Sequence, residues 1–210
     1  MMKYDALIFD IDGTLWDSRE LVAKGYNKQL RKEGLDHLCV DAERLKGLFG
    51  MVLSDMADIL FESLPQPERY PLLERCMASE NSHLKEDPCH IGYPEIKETL
   101  QKLHQTHRLF IVSNSQRGYP QLCIRKLGLG ELIEGHLCHG DTGLSKGQTI
   151  LQLMEKHGIE KPLYIGDTQG DYEATLESGV DFAWAAYGFG APESFLYRVD
   201  SPRELLSLSL

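Results

Sequence analysis

The chain has 210 residues, with 22 Lys and Arg against 32 Asp and Glu, for a formal net charge of −10. Its 42% hydrophobic and 26% charged content reads as a soluble globular protein with ample chain for a sizeable core. The acidic balance argues against general nucleic-acid binding and against attachment to anionic membranes, both of which need basic patches.

Ala6–Phe9 is a short apolar run of the kind that fills a strand buried on both faces. The following Asp10-Ile-Asp-Gly-Thr14 breaks it. Ser18 to Glu33 reads as a helix stopped by Gly34. Asp41 is expected to cap a short helix through Leu45, and Ser54 another that ends before Pro65. Pro67 to Glu80 is a further helix. Residues 18–82 therefore carry helices and no convincing strand.

Beyond Asp87-Pro88 the pattern alternates. Helix is expected over Pro94–Gln105, strand over Arg108–Val112 and helix over Gln121–Leu127. A strand follows over Leu132–Cys138, a helix over Gly147–Lys156 and a strand over Leu163–Ile165. Gly170–Ser178 is helical, Phe182–Trp184 a strand and Pro202–Leu208 a last helix. Alternation of this kind implies a Rossmann-like, doubly wound parallel sheet with helices on both faces. The all-helical stretch looks inserted after the first strand. The expected division is an α/β core of residues 1–15 and 86–210 carrying a helical domain of residues 16–85.

No stretch approaches the ~18 consecutive apolar residues of a membrane span. Met1–Asp12 does not read as a signal peptide, because Asp5, Asp10 and Asp12 interrupt its apolar run. Cys39, Cys76, Cys89, Cys123 and Cys138 form no CxxC pair, which argues for a reducing cytoplasm over a disulfide framework or a zinc knuckle. The pairs His104/His107 and His136/His139 read as surface or internally satisfied residues rather than metal ligands.

Ligands of open α/β sheets bind beyond the carboxyl ends of the strands. Four polar clusters follow the predicted strands there: Asp10 with Asp12, Ser113 with Asn114, Lys146, and Asp167 with Asp171. Convergent carboxylates without nearby His or Cys suit a hard cation, and Mg²⁺ fits best because it leaves room for waters and a phosphate. Lys146 supplies fixed positive charge. Ser113 and Asn114 offer donors to a phosphoryl oxygen, and Gly13 would let backbone N–H groups approach an anion. Each cluster alone is an ordinary turn or helix cap; their shared position at one sheet edge argues for a site.

With these motifs the sequence resembles the haloacid dehalogenase superfamily, essentially over its whole length, and within it the phosphoglycolate-phosphatase-like members. The resemblance implies that Asp10 is the nucleophile of an aspartyl-phosphate intermediate. Asp12 would protonate the leaving oxygen and then activate water. Mg²⁺ would be held by Asp10, Asp167 and the backbone carbonyl of Asp12, with Asp171 in support. Ser113, Lys146 and Asn114 would hold the phosphoryl group.

The helical stretch resembles the family's cap domain, and the substrate would be a small phosphorylated metabolite. Trp16, Arg44, Lys46, Phe49 and Met51 are the candidates for substrate selection. Trp16 would either pack at the cap hinge or line the pocket. Arg44 and Lys46 would either meet an anionic group or be solvated, and Phe49 and Met51 would either line the pocket or fill the cap core. Two other readings remain at this point, a sugar-phosphate phosphomutase and a non-enzymatic phosphate-binding protein. The absence of His between Asp12 and His37 counts against the mutase. Monomer and homodimer are both left open.

Overall fold

The computed structural model describes residues 3–210. Met1 and Met2, which open the segment read against a signal peptide, lie outside the described residues. Among the described residues, six strands form one parallel sheet in the order β3-β2-β1-β4-β5-β6. They are β1 (Ala6–Phe9), β2 (Arg108–Ser113), β3 (Ile133–Cys138), β4 (Pro162–Gly166), β5 (Asp181–Ala185) and β6 (Tyr197–Val199). The central strand β1 is paired on both sides, with Phe9 opposite Ile111 of β2 and Ile165 of β4. All four of its residues are buried, which is why it reads as an unbroken apolar run rather than an alternation.

One face of the sheet, with Ile8, Phe110, Val112 and Tyr164, packs on Ile150 and Leu153 of α8 (Lys146–His157) and Ala174 of α9 (Gln169–Ser178). Leu7, Phe9, Leu109 and Ile111 of the opposite face are fully buried as well. The chain runs from β1, through α5 (Ile96–Leu103) after the helical stretch, to β2 and β3 on one side, then past the short α7 (His139–Thr142) to β4 on the other. The strand order thus reverses beside β1, and its carboxyl end is a ligand position by topology alone.

Residues up to Asp17 together with His90–Leu210 form one compact unit, and Ser18–Cys89 form a second. The second consists of α1 (Arg19–Lys32), α2 (Ala42–Lys46), α3 (Leu53–Leu60) and α4 (Gln66–Glu86) around an apolar core that includes Tyr26, Leu30, Leu45, Leu60, Leu73 and Cys76. Helices α1 and α4 approach closely at Gly25, where an added Cβ would lie 2.5 Å from Glu80 Cα. Among the described residues, no helix is long and apolar enough to cross a membrane.

Several boundaries move. Asp41 caps α2 as expected, accepting from the Arg44 N–H at 2.8 Å. Ser54 does not cap α3; Val52 precedes the helix and Ser54 lies inside it. Helix α4 continues to Glu86, where the coming Pro88 disfavours helix at Asp87. Helix α6 (Tyr119–Leu127) starts two residues earlier than expected, because Pro120 is tolerated in a first turn. The last helix is a 3₁₀ turn, Pro202–Ser207. β6 escapes sequence reading because exposed Arg198 interrupts its apolar run.

Candidate active site

The loop after β1 folds tightly on itself. The Gly13 N–H donates to Trp16 O at 2.9 Å, and the Leu15 N–H to Ile11 O at 2.8 Å. The Gly13 amide itself is thus taken up within the loop. Glycine is required here. Gly13 has φ +86°, and a Cβ there would lie 2.2 Å from Asp167 Oδ2. Gly188, beyond β5, presses on the same carboxylate, and its Cβ would lie 2.4 Å from Asp167 Cβ.

Asp10, Asp167 and Asp171 each offer a carboxylate oxygen, all within 4.8 Å of one another, and all three are buried. The Lys146 ammonium donates to Asp10 Oδ1 at 2.8 Å and to Asp171 Oδ1 at 2.6 Å. Its position follows from the helix start. Ser145 caps α8, and Lys146, the first helical residue, is turned inward and only 5% exposed. Burial works against the Lys146 charge, but Asp10 and Asp171 outweigh it and hold the group above the usual lysine range.

Asp10 is pushed up to about 7, by burial foremost, with Lys146 opposing and Asp171 adding. Asp167 is also raised, by burial and then by Asp171 and Asp10. Its Oδ2 accepts the Phe189 N–H at 2.7 Å. Asp171 behaves differently. Burial opposes its ionisation, yet Lys146 and Thr168 hold its carboxyl below the ordinary value. Its two oxygens meet five donors: Lys146, the Tyr164 hydroxyl, the N–H groups of Asp167 and Thr168, and the Thr168 hydroxyl. So Asp171 anchors the cluster, closing a capping box on α9, while Asp10 and Asp167 are held in an electrostatically underpaid state. The three buried carboxylate oxygens are a donor set that could hold a hard divalent cation.

The Asp12 side chain is not part of this group of three carboxylates, and the expectation for Asp12 concerned its backbone carbonyl. Its carboxylate is taken by two other donors, Trp16 Nε1 and Tyr119 Oη, each 2.8 Å from Oδ1. Trp16, expected either to pack at the hinge or to line the pocket, is fully buried. Ser113 ends β2 one strand from Asp10, and its Oγ accepts the Ser115 N–H at 3.2 Å. Asn114 is half-buried in the same loop. Ser115 Oγ is buried with no hydrogen-bond partner.

In the helical unit, Phe49 and Met51 pack against that unit's own core. Arg44 donates to Ile59 O at 3.3 Å, and Lys46 is exposed.

Sequence reasoning missed Tyr119, Tyr164 and the 186–190 loop. Tyr164 looks like a strand aromatic between Leu163 and Ile165. Tyr187, whose hydroxyl donates to Thr14 O at 2.9 Å, follows a strand but carries no motif.

Fold and site together define an open-sheet α/β enzyme whose buried acids surround a single lysine at the topological switch point. A sequence model of the haloacid dehalogenase-like hydrolases matches residues 7–185. A phosphoglycolate phosphatase of Aquifex aeolicus is 30% identical over 96% of this chain and 95% of its own. An N-acetylmuramic acid 6-phosphate phosphatase of Pseudomonas aeruginosa is 26% identical over 99% of this chain and 95% of its own. The structure of a haloacid dehalogenase-like hydrolase from Streptococcus pneumoniae superposes with a TM-score of 0.83 over 99% of both chains, at 22% identity. The chain belongs to the haloacid dehalogenase-like hydrolases and is an enzyme of their phosphatase kind.

Proposed function

We propose that this enzyme hydrolyses the monoester of a small phosphorylated metabolite through an aspartyl-phosphate on Asp10, with Mg²⁺ bound. The observation that carries the reading is the buried Asp10, paired to Lys146 within the Asp167 and Asp171 cluster. An Asp10 carboxylate oxygen forms a bond to phosphorus as the ester P–O bond breaks. The departing oxygen takes the electron pair and a proton from Asp12. Asp12 then takes a proton from water, whose oxygen attacks phosphorus and releases inorganic phosphate and the Asp10 carboxylate. Lys146 offsets charge on the transferring group, with Ser113 and Asn114 as donors to its oxygens.

Asp10, Asp167 and the Asp12 carbonyl would hold Mg²⁺, with Asp171 behind them. Bound there, the ion supplies positive charge against the phosphoryl oxygens. The helical unit is proposed as a cap that selects the substrate, and the five free cysteines support a cytoplasmic setting. The relatives named above carry different substrates, so the substrate is stated by class.

The test is inorganic phosphate release from a metabolite panel and from 4-nitrophenyl phosphate, with Mg²⁺ and with chelator. Asp10→Asn and chelation are each expected to remove turnover by ~10³-fold or more. Near-normal activity in Asp10→Asn would sink the nucleophile assignment.

A further inference from the structure

Resting on the reading of Asp12 as the proton donor, we propose that Trp16 and Tyr119 are a positioning pair for that acid. Both polar hydrogens of these aromatic rings are directed at one atom. Trp16 Nε1 and Tyr119 Oη each lie 2.8 Å from Asp12 Oδ1. The rings brace each other edge to face, with centroids 5.5 Å apart at 80°. Asp12, Trp16 and Tyr119 are 8%, 0% and 2% exposed, so water does not compete for these bonds.

The backbone fixes both donors. Trp16 is bridged to Asp12 on one side and to Gly92 on the other. Tyr119 is the first residue of α6, presented by Gly118 at φ +89°. Cys123, one turn on, is buried on the same helix face.

A buried indole N–H and phenol O–H need acceptors, and a backbone carbonyl would serve. Here both meet the one carboxylate that has to give and take a proton. Two donors on Oδ1 lock the carboxylate plane. They also exclude a hydrogen from that oxygen, so the transferred proton belongs on Oδ2. The pair therefore determines which atom donates and in which direction, which is what proton transfer in a transition state requires.

The experiment compares kcat/KM for phenyl phosphate and 4-nitrophenyl phosphate, because kcat/KM covers only the steps through departure of the leaving group. Phenolate needs the proton far more than nitrophenolate does. Tyr119→Phe, which removes only a hydroxyl, is expected to lose about 10-fold or more on phenyl phosphate and less than about 3-fold on 4-nitrophenyl phosphate. KM should move less than about 2-fold. Trp16→Phe should follow the same pattern, and Tyr119→Phe keeps the test alive if the larger change disturbs folding. In an Asp12→Asn background, Tyr119→Phe should cost less than about 2-fold more. Equal losses on both substrates, or full additivity with Asp12→Asn, would overturn the positioning role. If Asp12→Asn itself shows no leaving-group dependence, the acid assignment fails instead.

Discussion

In the α/β unit, Asp10, Lys146, Asp167 and Asp171 are all 5% exposed or less, whereas the helical unit keeps its ion pairs Arg75–Glu33 and Arg69–Asp58 partly in water around an aliphatic core. Glu80 is that unit's one buried charged residue. The contrast separates two uses of charge. Around β1 the charged groups are each other's solvent, so none can be removed without stranding the rest. On the helices each pair is an independent surface decoration. Chemistry follows the first arrangement, because a buried carboxylate such as Asp10, pushed up to about 7, stands where a site tunes ionisation for reaction.

The sharpest way to break this comparison is Lys146→Met. It leaves Asp10 and Asp171 facing each other without their cation. Urea unfolding in chelator at pH 7.5 should show a loss of about 3–5 kcal/mol. A loss below ~1 kcal/mol would mean the acids are already neutral, and the contrast would collapse. Next in size is Gly25→Ala in the helical unit. The new Cβ meets the α4 backbone at Glu80, so α1 and α4 must separate. Better helix propensity offsets part of the overpacking, leaving a net loss of about 1–2 kcal/mol by the same measurement. A stabilised variant would show that the helices yield freely.

The smallest expected effect is Arg75→Ala. Arg75 and then Gln29 hold the Glu33 carboxyl down to about 2. A lowered carboxyl stabilises the fold above its unfolded value near 4.5 and loses that contribution as pH falls toward 2. Because the pair is partly exposed, the variant should lose only ~0.5–1 kcal/mol at pH 7. Its deficit should shrink through that acid window when stability is followed against pH. A deficit independent of pH would point to lost packing of the arginine stem instead.

Most of the sheet was legible because a strand buried on both faces leaves a plain local signature, as Ala6–Phe9 and Leu163–Ile165 do. The acids and Lys146 were legible because each follows such a strand, and parallel topology carries all strand ends to one edge. The helical unit was legible as helices, but its candidate residues were not. Phe49 and Met51 have the same periodicity whether they fill a core or line a pocket, and only packing separates the two.

The sequence by itself determined the α/β class, the inserted helices, and the identity of the carboxylates and lysine that meet beyond β1. These depend on local periodicity and on chain order. Tertiary structure alone decided who holds each of them. Tyr119 reaches Asp12 across 107 residues, Gly13 spends its amide on Trp16 and serves Asp167 by lacking a side chain, and Asp171 is saturated by five donors. A buried polar group takes whatever partner the packing brings within about 3 Å, and no local pattern records which one arrives.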